Sequence, residues 1–424
     1  MERLPGFRDF YPEPLPHADV WSADARRYIF DKWREVTQRY SFREYDGPPL
    51  EPLELYTLKS GEEIVGQLYN LTDKGDRAIA LRPEMTPTLA RMVAAHERNY
   101  KKPIKWFTIP QLFRYERQQK GRLREHFQLN ADIIGEPDVA ADAELIALLI
   151  DSLRVFGLTE DDFVIRLSSR NAWSDFYRQD GGTEQNAYAF YQAVDKIERE
   201  TPDENQKKFK GLGFSYDAVQ QFITSGKPTA ELDVVLKNLA ARGLADFVKV
   251  DYGVIRGLAY YTGVVFEAFA KVEDLRAIAG GGRYDNLVKL ISGGKVNLPA
   301  LGFGMGDVVL RELLAARKLF PAFSVNVDVF CVIEDESFRG ETLKLIQQLR
   351  DKGARVEYSL TPVKPDKQFK RALELNAAFT LKAESGGTAR LKNLRTREEM
   401  VLPQVDVLQK IFGTRRPESH IDNA

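Results

Sequence analysis

A cluster of cations lies between two segments whose residue pattern predicts strands. The apolar run from Trp106 to Phe113 predicts a buried strand, and residues 127–134 predict a second one. The second carries Gln128, Asn130 and Asp132 at every other position, which places the three polar side chains on one face. The connecting loop turns at Gly121 and carries these cations: Arg114, Arg117, Lys120, Arg122 and Arg124. Such a hairpin can aim guanidinium groups at phosphate or carboxylate and offer acceptors to an amine. The alternative is a hairpin with a merely solvated loop.

Arg256 is a second candidate for binding an anion. It follows the apolar strand VDYGVI, and an unpaired arginine in a protein interior is costly. The partner is either a bound anion or a protein carboxylate in a buried salt bridge. Tyr260 and Tyr261 occupy adjacent strand positions and so face opposite sides. Tyr261 is favoured as the ligand and Tyr260 as a core residue.

The composition limits the class of protein. A chain of 424 residues predicts two or three domains, and 43% hydrophobic residues suffice to bury sizeable cores. The single cysteine, Cys331, excludes a disulfide framework within the chain, and the four scattered histidines predict no His-based metal site. No apolar run is long enough to span a bilayer. A soluble protein of the cytoplasm, with no membrane partner, is therefore predicted.

The charge is unevenly distributed although the net charge is only -1. Residues 101–124 hold eight Lys and Arg against one acidic residue, and residues 364–397 hold nine against three. Two basic surfaces on a near-neutral protein can bind an extended polyanion at two places. The alternative for each surface is a solvated face with no partner.

The elements that must position these residues follow from the hydrophobic pattern. The chain is predicted to begin with an amphipathic helix at 17–39, followed by an extended segment that Pro48 and Pro49 interrupt and by a helix near Pro87 that Thr86 or Glu84 caps. A helix ending at Gly157, a strand at 163–170, a polar helical insertion at 171–246 and strands from 247 onward come next. The last predicted parts are an α/β unit with a mainly parallel sheet at 326–412 and a disordered tail at 413–424.

Several segments, in the right order, resemble the motifs of the class II aminoacyl-tRNA synthetases and, within that class, the histidyl-tRNA synthetase family. They are LPGFRDFYPE, REYDGPPLE (similar to motif 1), FRYERQQKGRLREHFQLNADIIGE (motif 2), RGLAYYTGVVFEAF (the histidine-enzyme signature), AGGGRYDNL with GFGMGD, and LKAESGGTARLKNLRTREE. The resemblance covers nearly the whole chain. One such motif alone is weakly specific, but the ordered set is strongly specific.

The resemblance implies a fold and a reaction. The expected fold is an α+β class II catalytic domain built on an antiparallel sheet, formed by residues 1–170 and 247–320, with a helical insertion at 171–246 and a C-terminal α/β anticodon-binding domain at 326–412. The expected enzyme activates L-histidine with ATP to histidyl-adenylate and transfers histidine to the 3′ end of tRNA(His). ATP as substrate, Mg²⁺ and a homodimer, with Pro48 or Pro49 of motif 1 at its interface, are also implied.

The resemblance also implies site residues. Arg114 and Arg256 are the expected catalytic residues, because guanidinium groups can stabilise charge that develops on the phosphate. The expected histidine-binding residues are Glu84, Met85, Thr86, Arg114, Gln128, Asp132, Arg256, Tyr260 and Tyr261. The expected ATP-binding residues are Arg114, Glu116, Arg122, Arg256 and Arg311. The expected contacts to the tRNA acceptor end are Arg117, Gln119 and Arg124, and Arg390, Lys392, Arg395 and Arg397 would hold the anticodon stem. No resident metal site is expected.

Three positions depart from the family pattern. The family usually has glutamate where Asp132 stands, and the shorter acid must sit closer to its ligand or act through water. Gln118 replaces a proline in the basic loop. Motif 3 usually ends in Gly-x-Glu-Arg but here has Gly306, Asp307 and Val308. The adenine-stacking arginine is therefore absent, and either Arg311, one helical turn on, or apolar packing must take its place.

The missing arginine leaves an alternative function open. A non-catalytic, histidine-binding regulatory paralogue, such as the regulatory subunit of the short-form ATP phosphoribosyltransferase, would not need that arginine. The complete FRYER and RGLAYYTG segments and the full C-terminal domain favour the enzyme instead. A general RNA-binding protein would explain the basic segments but not the pocket acids.

Overall fold

The chain folds into two compact units. A computed structural model describes residues 2–17, 20–60, 62–115, 123–197, 200–254, 261–271, 275–323 and 327–413. The first unit comprises Met1–Tyr11 with His17–Pro321, and the second comprises Pro12–Pro16 with Ala322–Ala424.

The first unit contains a main sheet, two small sheets and the helices around them. Its strands are β1 (Phe10–Tyr11), β2 (Trp21–Ser22), β3 (Arg43–Glu44), β4 (Leu50–Pro52), β5 (Asn70–Thr72), β6 (Ala78–Leu81), β7 (Ile104–Thr108), β8 (Gln111–Phe113), β9 (Glu125–Ile134), β10 (Phe163–Ser169), β11 (Val248–Val250), β12 (Val264–Ala270), β13 (Ala279–Arg283) and β14 (Ala300–Gly306). Its helices are α1 (Ala23–Arg39), α2 (Leu53–Ser60), α3 (Thr86–His96), α4 (Ala140–Arg154), α5 (Arg170–Gln179), α6 (Ala187–Lys196), α7 (Pro202–Gly211), α8 (Tyr216–Thr224), α9 (Ala230–Ala241), α10 (Leu287–Ile291) and α11 (Asp307–Ala316).

The main sheet is predominantly antiparallel, which confirms the expected fold class. In the described part of the chain its strands run in the order β11-β10-β12-β13-β14-β9-β7-β3, and β8 also pairs with β9. Only the two outermost pairs, β10 with β11 and β3 with β7, are parallel. Helix α4, an apolar run of Ala, Leu and Ile, is almost entirely buried and packs against β9 and β14. It therefore supports the central strands from one side and leaves their other face available.

Local sequence explains where several elements begin and end. Helix α1 starts at Ala23 because the Ser22 side chain accepts a hydrogen bond from the Ala25 amide. The predicted strand 106–113 is divided into β7 and β8, because Pro110 between them has no N–H to donate to the sheet. The predicted caps of α3 are wrong: Met85 holds the N-cap position, and no side chain caps the helix. Glu84 and Thr86 are therefore not used as caps.

Residues 170–241 form five consecutive helices, α5–α9, and the structure shows no strand among the described residues of this stretch. Their core is aromatic: the Phe190 ring packs against those of Trp173 and Phe214. Helix α9 is tied to the main sheet at its first turn, where Ser169 and Asn171 both donate hydrogen bonds to the Glu231 carboxylate.

The second unit is a mixed α/β structure. It contains β15 (Val329–Cys331), α12 (Arg339–Asp351), β16 (Val356–Tyr358), α13 (Pro365–Glu374), β17 (Phe379–Glu384), β18 (Thr388–Asn393), β19 (Glu399–Pro403) and α14 (Gln404–Gly413). Strand β15 pairs in parallel with β16 and β17, but the β17–β18 and β18–β19 pairs are antiparallel. The prediction of a mainly parallel sheet is therefore wrong, because a three-residue connection, Ser385–Gly387, is too short for a parallel crossover. The predicted tail from 414 onward lies outside the described residues.

Candidate active site

The open face of the main sheet carries a row of polar side chains beside a row of glycines. Gln128, Asn130 and Asp132 of β9 pair with Gly306, Gly304 and Gly302 of β14, which confirms that the three polar residues share a face. A Cβ atom on Gly302 would lie 1.8 Å from Asp132 Oδ1, and one on Gly304 would lie 2.7 Å from Gln128 Cδ. The glycines therefore provide the space over which these polar side chains extend.

The larger of two neighbouring cavities lies over this face and has a volume of about 640 Å³. It brings together six of the predicted site residues: Glu84, Thr86, Arg114, Gln128, Asp132 and Tyr261. Tyr261, the tyrosine favoured as the ligand, is thus a lining residue. Asn130, which was predicted to share a face with Gln128 and Asp132, also lines this cavity. The remaining lining residues were not predicted: Lys59, Gln67, Gly280, Tyr284, Gly302, Phe303 and Gly304.

Asp132 lies at the buried end of the larger cavity and is only 4% exposed. The Tyr284 hydroxyl donates a hydrogen bond to its Oδ1 atom. Burial raises the pKa of Asp132 to about 7, and the Tyr284 hydrogen bond opposes this rise. The nearby hydroxyl of Tyr45 is buried and has no hydrogen-bond partner among the described residues. A ligand that donates a hydrogen bond to Asp132 would stabilise the ionised carboxylate.

Glu84 lies at another side of the larger cavity, where α3 begins. Its carboxylate forms an ion pair with Lys59 of α2. Thr86 is the first residue of α3 and also lines the cavity. Met85 between them is fully buried, and its side chain is not among the described cavity-lining residues. The predicted contact of Met85 with a ligand is therefore not seen for its side chain.

Arg114 lines both cavities. Its Nε atom donates to the Pro83 carbonyl oxygen at 3.1 Å, and its backbone amide donates to the Arg124 carbonyl oxygen at 2.9 Å. The first bond holds the side chain beside Glu84, and the second continues the β8–β9 pairing beyond Phe113. The guanidinium group is thus held at the boundary between the two cavities.

The smaller cavity has a volume of about 190 Å³ and shares Arg114, Gln128, Gly280 and Gly304 with the larger one. One side is apolar and includes Ile278, Val308 and Val309. His126 and Arg276 provide its polar side chains besides Arg114 and Gln128. Counted from Gly306 along the pattern Gly-x-Glu-Arg, Val308 stands in place of the glutamate and Val309 in place of the arginine, and both line this cavity.

Arg311 lines neither cavity, in contrast to the prediction that it takes the place of the missing arginine. It is absent from the described lining residues, and its guanidinium carbon lies 4.3 Å from the centre of the Trp21 ring. The side chain of Arg311 therefore contacts Trp21 of β2. Arg124 is likewise absent from both linings, and its guanidinium carbon lies 4.5 Å from the centre of the Tyr115 ring.

Six predicted site residues lie outside the described residues, and so does Gln118. They are Glu116, Arg117, Gln119, Arg122, Arg256 and Tyr260. Among the residues that are described, no group of three or more His, Cys, Asp or Glu side chains could hold a metal ion. In the same part of the chain no helix has the length and apolarity needed to cross a membrane.

Sequence patterns did not indicate three residues that lie in the site or next to it, namely Arg8, Tyr284 and Lys59. Arg8 forms ion pairs with Glu125 and Asp307, behind the smaller cavity. Tyr284 belongs to the AGGGRYDNL segment, whose glycines were noted but whose tyrosine was not. Lys59 lies in a helix with no unusual pattern, so nothing in its local sequence indicates its ion pair with Glu84.

Comparisons with known proteins agree with the geometry. Residues 17–307 match the sequence model of the family described as "Histidyl-tRNA synthetase". A protein of Opitutus terrae named "Histidine--tRNA ligase" is 45% identical over 433 residues, covering 96% of this chain and 97% of the relative. Because that similarity spans both units, it concerns the whole chain rather than one domain.

Solved structures show the same fold. The histidyl-tRNA synthetase from Nostoc sp. PCC 7120 matches with a TM-score of 0.74 and 22% identity, over 96% of this chain and 99% of that one. A Bacillus halodurans protein titled "ATP phosphoribosyltransferase regulatory subunit/histidyl-tRNA synthetase" matches with a TM-score of 0.70 and 22% identity, over 91% and 99%. These matches establish the fold only, and the sequence similarity establishes the family: the chain belongs to the histidyl-tRNA synthetase family.

Proposed function

We propose that the two cavities are the amino-acid half and the nucleotide half of one active site. In this site the chain, as a histidine–tRNA ligase, would join L-histidine to ATP and then transfer histidine to the 3′ end of tRNA(His). The observation that carries the proposal is the position of Arg114, which lines both cavities. A carboxylate in one cavity and an α-phosphate in the other would meet beside this guanidinium.

The larger cavity has the chemistry to bind histidine. Glu84, Thr86 and Gln128 offer oxygen acceptors to an α-ammonium group, and Glu84 is acidic. At the buried end, Asp132 and Tyr284 offer an acceptor and a hydroxyl to the imidazole nitrogens. A pocket built to hydrogen-bond the substrate rejects an analogue that lacks those groups, because its own polar groups would then be left unpaired. This is the proposed basis for selecting histidine.

The smaller cavity would hold the nucleotide. Its apolar side, with Ile278 and Val308, suits a purine, and packing there replaces stacking on the missing motif 3 arginine. Arg276 adds a cation. Mg²⁺ would enter with ATP and be held mainly by phosphate oxygens and water, as is usual for this ion. Glu116, Arg122 and Arg256 are proposed as further ATP contacts from the family resemblance alone.

In the first step the histidine carboxylate attacks the α-phosphorus of ATP, and pyrophosphate leaves. The nucleophile is the substrate carboxylate itself, so no protein base is needed for activation. Alignment of the two substrates and the charge of Arg114 are the proposed protein contributions. In the second step a hydroxyl at the tRNA 3′ end attacks the adenylate carbonyl carbon, and AMP leaves.

Further partners and the location are also proposed. Arg117, Gln119 and Arg124 would contact the tRNA acceptor end, and the second unit would hold the anticodon stem. A homodimer is proposed because Leu50, Leu58 and Leu71 are exposed apolar side chains on β4, α2 and β5, next to motif 1. The proposed location is the cytoplasm.

The first experiment is amino-acid-dependent ATP–pyrophosphate exchange with all twenty amino acids. Exchange with histidine alone is expected, and Arg114→Gln is expected to reduce kcat/KM by at least about a hundredfold, the size of loss typical for removing a charge-stabilising donor. Exchange with another amino acid, or undiminished exchange in Arg114→Gln, would contradict the proposal. Histidine binding without exchange would instead support the regulatory paralogue.

A further inference from the structure

The side chain of Arg8 is buried between two carboxylates from distant parts of the chain. Its Nε and Nη2 atoms donate to the two carboxylate oxygens of Glu125 at 2.6 and 3.2 Å. Its Nη1 atom donates to Asp307 Oδ2 at 2.8 Å. The side chains of Arg8 and Glu125 are each 1% exposed, and that of Asp307 is 5% exposed. One planar guanidinium thus bridges two acids that lie on different elements.

Neither carboxylate lines the smaller cavity, but both acids are chain neighbours of residues that do. Glu125 is the first residue of β9 and precedes His126, which lines the cavity. Asp307 is the first residue of α11 and stands between Gly306 and Val308, which also line it. Asp307 Oδ1 accepts a further hydrogen bond from the Phe127 amide at 3.0 Å. The ionic network therefore joins β9 to the start of α11, and residues at both places line the cavity.

The residues around Arg8 reinforce this junction. The Gly6 carbonyl oxygen accepts from the Arg124 amide at 3.0 Å, and the Arg124 carbonyl in turn accepts from the Arg114 amide. The Phe7 and Phe113 rings are 6.4 Å apart. The indole of Trp21 lies between two guanidinium groups, with centroid distances of 4.4 Å to Arg8 and 4.3 Å to Arg311. Cation–π contacts of this kind restrict how the Arg8 side chain can move.

We propose that Arg8 is a positioning residue for ATP: it locks the start of β9 to the start of α11 and so sets the shape of the nucleotide cavity. The inference rests on the proposed function, because it assumes that the smaller cavity holds ATP. Arg8 lines neither cavity and so is not proposed to contact a substrate. Glu84, Asp132 and Tyr284 line the larger cavity and not the smaller one, so a change at Arg8 is expected to affect ATP binding more than histidine binding.

Arg8→Lys is the main test, because lysine keeps the charge but cannot bridge two carboxylates with a planar fork. The matched control is Arg317→Lys at the other end of α11. Arg317 pairs with the buried Asp162, at 2.6 Å between Nε and Oδ1, and neither residue lines either cavity. The control thus repeats the same substitution at a buried acid without touching the β9–α11 junction.

KM for ATP and KM for histidine are measured separately in the exchange assay, together with thermal unfolding. Arg8→Lys is expected to raise KM for ATP by at least about tenfold and to change KM for histidine by less than about twofold, a selective loss that general destabilisation does not produce. Arg317→Lys is expected to change neither constant by more than about twofold. Asp307→Asn keeps an acceptor for the Phe127 amide and is also expected to raise KM for ATP more than KM for histidine. If Arg8→Lys does not fold, the result for Asp307→Asn alone tests the role of Arg8.

Equal changes in both KM values, or variants that differ from wild type only in thermal stability, would overturn the inference. Absence of exchange in the wild-type chain would refute the proposed function instead. Normal wild-type exchange with no ATP-selective effect in Arg8→Lys or Asp307→Asn would refute only the role of Arg8.

Discussion

Asp132 shows how one residue links the proposed specificity to the pH dependence of stability. Burial raises its pKa to about 7, whereas an aspartate in an unfolded chain has a pKa of about 3.9. Between these two values the folded chain binds more protons than the unfolded chain. The free energy of unfolding therefore falls as the pH rises from about 4 to about 7, by at most about 1.4 kcal/mol per pH unit, and this effect levels off above pH 7.

Asp132→Asn should remove this dependence. We expect the difference in the free energy of unfolding between pH 5 and pH 8, measured by urea denaturation without ligands, to be larger in wild type than in the variant, with wild type less stable at pH 8. Saturating histidine should reduce the difference, because a bound imidazole N–H would compensate the ionised carboxylate. Identical pH profiles for the two proteins would show that Asp132 is not the group responsible.

At the residue scale, local sequence could predict side chains that follow a strand period but not those joined across the chain. The alternation of Gln128, Asn130 and Asp132 placed them on one face, and the structure agrees. Arg8 and Asp307 are 299 positions apart, and nothing in either segment indicates their ion pair. Arg311 shows the converse: helical spacing put it near the face of Val308, but attraction to the Trp21 ring holds it elsewhere.

At the element scale, the pairing of β9 with β14 depends on glycine. Gly302→Ala would place a Cβ atom 1.8 Å from Asp132 Oδ1, so the carboxylate must move away from Tyr284. We expect KM for histidine to rise by about tenfold or more, equivalent to the loss of about 1.4 kcal/mol of binding. Gly306→Ala on the same strand is the control for this constant, because its Cβ atom would have nothing within 4 Å. Equal KM values for histidine in the two variants would contradict the steric explanation.

Element boundaries could be predicted where one residue decides them and not where tertiary contacts do. Apolar periodicity predicted α1 and α4, although α1 begins at Ala23 rather than at 17 and α4 ends at Arg154 rather than at Gly157. The helical character of residues 170–241 followed from composition. The apolar run predicted one strand at 106–113, but Pro110 within it divides the segment into β7 and β8. The mixed sheet of the second unit could not be derived from alternating strands and helices alone, because β17 and β18 form a hairpin in which Gly386 and Gly387 adopt positive φ.

At the scale of the whole molecule, the division into two units suggests that histidine activation and tRNA binding can be separated by mutation. The cavities lie entirely in the first unit. In the second unit, Arg390 pairs with Glu384 and Glu399, and Lys392 also pairs with Glu399. Their charge is thus partly neutralised, which the count of basic residues in the sequence could not show. Arg395 and Arg397, in the turn between β18 and β19, are exposed.

The double variant Arg395→Glu/Arg397→Glu should therefore separate tRNA charging from histidine activation. We expect KM for tRNA to rise by about tenfold or more at low salt, because each lost phosphate contact weakens binding and lowers the salt dependence of affinity. Histidine-dependent ATP–pyrophosphate exchange should remain unchanged, because it involves no tRNA. Lys344→Glu/Lys352→Glu, at two exposed positions on α12 and at its C-cap, makes the same change of four charge units; it is the charge control and should affect tRNA less. If the control raises KM for tRNA as much as the double variant, the effect is one of net charge, and the turn between β18 and β19 is not a tRNA contact.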